Sequence, residues 1–149
     1  MKKIVKYILV ILIIIANVTC SNSQNEDEQV IEMIKEFYVA HNTAWLEDVT
    51  VDVLGRKLDS LQERYCTTKL KVEAKRYFEQ GFDLITNEQG MGIESNSLSV
   101  VKDSLKDNTY IVSYESLDSG ASNNKIKVKV VVNVGVVKES GSYKINKIW

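Results

Sequence analysis

Lys125-Ile126-Lys127-Val128-Lys129-Val130-Val131-Val132-Asn133-Val134-Gly135-Val136-Val137-Lys138 is the stretch on which the fold turns. Its β-branched residues recur at every second position. A period of two places Ile126, Val128, Val130, Val132, Val134 and Val136 on one face, and Lys125, Lys127 and Lys129 on the other. Fourteen extended residues reach about 46 Å, longer than a small domain is wide, so the strand is expected to bend, with Gly135 the place for a bulge. The lysine face turns apolar at Val131 and Val137, which predicts cover there from a helix, a neighbouring strand or a second subunit.

On either side, Ser97 to Asp103, Thr109 to Glu115 and Ser142 to Trp149 alternate or run β-branched. They are separated by turn material at Lys106-Asp107-Asn108, Ser119 to Asn124 and Glu139-Ser140-Gly141. Short connections between successive strands predict an antiparallel meander. Upstream the period changes to that of a helix. Val30, Ile34, Phe37, His41 and Ala44 fall on one stripe, widened by Met33 and Tyr38, so a first helix is expected from Gln29 to about Trp45. After a break at Glu47 to Val51, Leu54, Leu58, Leu61 and Tyr65 repeat the spacing, and Leu70, Ala74, Tyr77 and Phe78 repeat it again beyond Thr67-Thr68. Either threonine suits a helix cap, and Gly81 suits a stop. Helices followed by strands, rather than alternating with them, mean α+β: three N-terminal helices packed on one face of a curved antiparallel sheet of about four strands.

The first residues follow another logic. Met1-Lys2-Lys3-Ile4-Val5-Lys6 and the apolar run Tyr7 to Ala16 have the basic-then-apolar order of a secretory signal. Ten helical residues rise about 15 Å against a hydrocarbon core of roughly 30 Å, too short for a comfortable span. Cys20 stands just beyond, in Ala16-Asn17-Val18-Thr19-Cys20-Ser21, and resembles the lipidation site of bacterial lipoproteins, although Asn17 and Thr19 depart from the usual Leu and small residue. The resemblance implies a signal peptide at 1–19, an acyl (palmitate-type) anchor on Cys20 and residence in the cell envelope as an outer-membrane lipoprotein, periplasmic or surface-facing. Ser21 to Glu28 has no apolar side chain and reads as a disordered tether, leaving 29–149 as one domain. Its serine followed by acids is similar to surface-export signals of lipoproteins in the Bacteroides group.

Composition narrows function by exclusion. Without Lys2, Lys3 and Lys6 the chain keeps 16 basic side chains against 20 acids, net −4, which argues against nucleic acid. One histidine excludes a multi-histidine metal site within the monomer, and Gly90-Met91-Gly92 lacks the third glycine and following helix of a dinucleotide loop, so no cofactor is expected. With Cys20 acylated, Cys66 is a lone thiol in a helical pattern and reads as a small core hydrophobe. The lysines at 125, 127 and 129 read as a solvated face.

His41 is the residue with chemical potential. It lies on an apolar stripe, where it could meet Asp83, Tyr77 or Tyr110 and do acid–base work on a bound small molecule. The plainer alternative makes His41 a packing residue and Asp83 a turn carboxylate accepting backbone N–H groups.

Phe37-Tyr38, Leu61-Gln62-Glu63-Arg64-Tyr65-Cys66-Thr67, Phe82-Asp83-Leu84 with Gln89, and Tyr143-Lys144-Ile145 resemble, in order, landmarks of exported bacterial proteins catalogued as domain of unknown function 3828. The resemblance implies a nuclear transport factor 2-like, or cystatin-like, cone-shaped α+β fold, and no assigned activity. The expected function is therefore a non-catalytic domain binding a small ligand or an envelope protein. The alternatives are a pocket enzyme of isomerase or hydratase type using His41 and Asp83, and an inhibitory or structural protein acting through its sheet, with homodimerisation at Val131 and Val137.

Overall fold

Among the described residues three helices precede four strands. In the computed structural model, residues 25–87, 92–94, 96–119 and 125–149 are described, so the expected signal segment, Cys20 and the expected turn at 120–124 lie outside the described residues. The chain divides into two compact units, Met1–Val30 and Ile31–Trp149. Of the first, only the helical residues 25–30 are described, and Val30 is buried. They belong to helix α1, described over residues 25–46. Asn25 to Glu28, expected in the tether, are thus helical.

Within the second unit α1 continues to residue 46, burying Ile34, Phe37, His41 and Ala44 on the expected stripe and Tyr38 beside it. Helix α2 spans Val51–Tyr65 and α3 spans Thr68–Glu79. The link between them is short because Cys66 and Thr67 are extended. The Thr67 hydroxyl accepts the Leu70 N–H as the cap of α3. The helix ends in a Schellman motif: Phe82 N–H donates to Tyr77 O and Gly81 N–H to Phe78 O, at 3.0 and 2.9 Å. Gly81 takes φ +76°, which a side chain would resist, and the rings of Tyr77 and Phe82 close the motif at 5.8 Å.

The sheet has the order β1-β2-β3-β4, from Ser99–Lys102, Thr109–Ser119, Lys125–Glu139 and Ser142–Ile148, antiparallel throughout and not closed. β1 is shorter than expected, because the Ser97 hydroxyl is drawn off the strand path to donate to Glu94 O and accept the Glu115 N–H. Val100, Val112, Val132 and Val134 align across three strands and are buried, with Val136, Ile145 and Ile148 continuing the layer. Cover fades toward the start of β3: Val134 is 0 % exposed, Val132 2 %, and Val128 42 % on the same face.

The expected irregularity is at Gly135. Gly135 pairs with Lys147 but Val136 pairs with Ile145, so the extra residue is Asn146 on β4. Gly135 itself is closely approached: a Cβ there would meet the Trp149 ring at 3.3 Å, so the ring would have to shift by a few tenths of an ångström. Val131 is 53 % exposed, short of the expected cover, whereas Val137 is half-buried.

Candidate functional site

The Schellman turn delivers Asp83 directly after α3, and its carboxylate organises the loop through Thr86. Oδ1 accepts the Ile85 N–H at 3.0 Å and Oδ2 accepts the Thr86 hydroxyl at 2.7 Å. Two tyrosines hold the carbonyls of this loop. Tyr38 on α1 donates its hydroxyl to Ile85 O at 3.0 Å, and Tyr114 on β2 donates to Thr86 O. The two rings pack at 6.4 Å, so one buried polar knot joins α1, the loop and the sheet. Burial pushes the Tyr38 phenol well above its ordinary pKa, with the neighbouring Tyr114, Asp83 and Cys66 acting in the same direction.

His41 stands one helical turn after Phe37, with ring centroids 5.7 Å apart. Its Nε2 lies 3.6 Å from Asp83 Oδ1, and the side chains are 0 % and 6 % exposed. That separation is an electrostatic contact, too long for a hydrogen bond. Neither ring nitrogen has a hydrogen-bond partner. Burial lowers the imidazole pKa from its ordinary value and the Asp83 carboxylate opposes this more weakly, so His41 is neutral at pH 7.

His41 and Asp83 are therefore brought together, as the first alternative required, while Asp83 also performs the turn role of the plainer one. Tyr77 and Tyr110 are placed differently. Tyr77 is half-buried against Phe82 beneath the Arg76 guanidinium, and Tyr110 is buried on the inner face of β2 opposite Val134. Depressions formed by the described residues lie between α2 and α3, along α3, and between α1 and α2, and His41, Tyr77, Asp83 and Tyr110 line none of these three. Among the described residues no three His, Cys, Asp or Glu side chains gather to hold a metal ion, and no helix is long and apolar enough to cross a membrane.

The remaining candidates read simply. Lys127 is 57 % exposed and pairs with Glu115 at 3.0 Å and Glu94 at 3.8 Å, and Lys129 is exposed. Cys66 is 5 % exposed, and burial pushes its thiol up to about 12, with Lys144 pulling weakly the other way, so it is an unreactive core group at neutral pH. Two polar side chains escaped the sequence reading. Asn42 clamps Ile93, accepting its N–H at 2.8 Å and donating to its carbonyl at 3.2 Å. Gln62 is 5 % exposed with an unpartnered Oε1. Each is a polar residue adjoining an apolar stripe, which is the signal that marks them.

No family model matches the chain, and no curated protein matches it significantly. A crystal structure of a protein of unknown function from Bacteroides thetaiotaomicron is similar to it over 90 % of this chain and 98 % of that one, with a TM-score of 0.75 at 27 % identity.

Proposed function

We propose that this is an exported envelope lipoprotein, anchored through Cys20, whose domain binds a small ligand or a protein partner without catalysing a reaction. The observation that carries the non-catalytic part is the placement of His41 and Asp83. An acid–base pair must reach a substrate proton, and here the imidazole is 0 % exposed while both carboxylate oxygens hold the turn at 85–86. Supporting the envelope reading are the signal-like order of residues 1–16 and the position of Cys20. Kinship with domain of unknown function 3828 and a nuclear transport factor 2-like fold is proposed from the landmarks between Phe37-Tyr38 and Tyr143-Lys144-Ile145, with which the α+β order agrees.

The pocket-enzyme reading keeps one favourable observation, the 3.6 Å approach of His41 to Asp83. The interaction-protein reading also keeps one, the exposed Val131. The anchor is tested by metabolic labelling with a fatty acid followed by fractionation. The wild-type protein is expected to take the label and sediment with membranes, and Cys20→Ala to do neither, with its domain still folded. An unlabelled, freely soluble wild-type protein overturns the anchor.

A further inference from the structure

The face of the sheet opposite the Val100, Val112, Val132 and Val134 layer carries a row of its own across all four strands. Val101 pairs with Ile111, Ile111 pairs with Asn133, and Asn133 exchanges backbone hydrogen bonds with Trp149, just beyond β4, at 3.0 and 3.1 Å. Val101 is 50 % exposed and Trp149 46 %, with Val131 open beside them. The turn between β1 and β2 reaches the same end of the sheet and carries Leu105, 91 % exposed, at its tip. That turn is built, not loose. Asp103 Oδ1 accepts the Leu105 N–H at 2.8 Å, the Asp103 N–H donates to Thr109 O at 2.9 Å, and Asn108 takes φ +51° to bring the chain back into β2. Apolar side chains held outward together mark a surface that meets another phase or partner.

The charges gathered there say which. The Lys106 ammonium lies 5.8 Å and the Lys147 ammonium 4.8 Å from the centroid of the Trp149 ring. Among the described residues neither lysine forms an ion pair, nor does Lys129, two positions before Val131 on the same face. Of the two carboxylates in the turn, Asp103 is engaged with the Leu105 N–H and Asp107 remains. The patch is thus cationic on a chain whose net charge is −1, and its complement is an anionic surface. The shape narrows it further. A leucine on a convex tip needs a partner that yields, as the headgroup layer of a bilayer does, while tryptophan favours that boundary and lysine reaches from it to the phosphates. We infer that this face docks on an anionic lipid bilayer, with Leu105 and Trp149 entering the boundary between headgroups and chains and Lys106 and Lys147 on the lipid phosphates.

The contact rests on the envelope reading for the membrane it needs, yet the two fail separately: retention on neutral vesicles reads the acyl anchor, and Trp149 fluorescence reads the contact. Protein purified from cells expressing the full chain is placed on vesicles of phosphatidylcholine and phosphatidylglycerol in equal parts, with brominated acyl chains as the quencher. Protein found unacylated is read in the same way, added free to excess vesicles. The difference between the wild type and Trp149→Phe isolates Trp149 from Trp45. Quenching of Trp149 is expected, and it should fall about fivefold on phosphatidylcholine alone or at high salt. Leu105→Asp, and Lys106→Glu combined with Lys147→Glu, should each lower it by about as much, with the urea midpoint held because these side chains are exposed. An unquenched Trp149, equal quenching on the two kinds of vesicle, or undiminished quenching in the glutamate pair overturns the inference. Self-association without lipid that shields Trp149 also overturns it, by giving the face to a second copy.

Discussion

His41 and Gln62 are both buried helix residues whose side chains carry atoms without hydrogen-bond partners, but their surroundings are opposite. His41 is enclosed beside Phe37 and a carboxylate already committed to a turn, whereas Gln62 lines an open groove. An unsatisfied group inside a core is a constraint on stability, felt chiefly when its charge changes. Gln62 carries a cost that does not change with protonation: its Oε1 is buried although the residue adjoins the groove between α2 and α3. A lone histidine attracts notice in a sequence; what separates it from the unremarkable glutamine is charge, because His41 can take up a proton and Gln62 cannot.

Removing the carboxylate beside His41 should have the largest effect. Asp83→Ala deletes two buried hydrogen bonds and leaves the Ile85 N–H and Thr86 hydroxyl unpaired, which corresponds to about 2–4 kcal/mol. The urea midpoint should fall with the slope unchanged. A loss well under about 1 kcal/mol would mean that the loop is held without Asp83.

The next effect depends on pH. Burial lowers the folded-state pKa of His41, so the unfolded chain takes up a proton near pH 6.5 that the folded chain refuses. The stability His41 contributes is present above pH 6.5 and lost as pH falls through the window between 6.5 and its lowered folded value, at up to about 1.4 kcal/mol per pH unit. His41→Leu should flatten that dependence, as urea unfolding of both proteins at pH 7, 6 and 5 would reveal. Equal slopes, or a wild type that gains stability on acidification through a His41–Asp83 ion pair, would break the contrast with Gln62.

Gln62 should show the smallest change. Gln62→Leu replaces an unpaired amide with an apolar group of similar size, so stability should rise by up to about 1 kcal/mol, equally at pH 7 and pH 5. A melting temperature several degrees lower would mean that the amide has a partner.

Periodic segments were legible because burial on a helix or strand repeats. Val30, Ile34, Phe37, His41 and Ala44 are all buried as their spacing required, and Val132, Val134 and Val136 are likewise. The Gly81 stop was legible from backbone chemistry, whereas the irregularity expected at Gly135 is carried by Asn146 on the facing strand. What escaped lies in aperiodic chain. Ile85 and Ile93 are core residues carried by loop segments, and nothing local announces that Tyr38 will reach the carbonyl of one and Asn42 the backbone of the other. The meeting of His41 with Asp83 was foreseeable as an option because one lay on a buried stripe and the other just past a helix stop. Its enclosure was not, since that depends on where the loop folds back. Gln62 was hidden by its neighbours: Leu58, Leu61 and Tyr65 define the α2 stripe without it.

The joint between α2 and α3 bears on the order in which the chain assembles. Cys66 forms a parallel bridge with Ile145, the Thr67 N–H donates to Ile145 O at 2.8 Å, and the Thr67 hydroxyl meets Asn146, a residue 79 positions later. The Lys144 ammonium reaches the carbonyls of Glu63 and Arg64 at the end of α2. A chain synthesised from its N-terminus makes both helices long before β4 exists to close the joint, and contacts between such distant residues carry a loop-closure cost that delays them. The helical hairpin therefore waits, its apolar faces open, until β4 is made, and the interval of greatest exposure to aggregation or proteolysis is set by that strand.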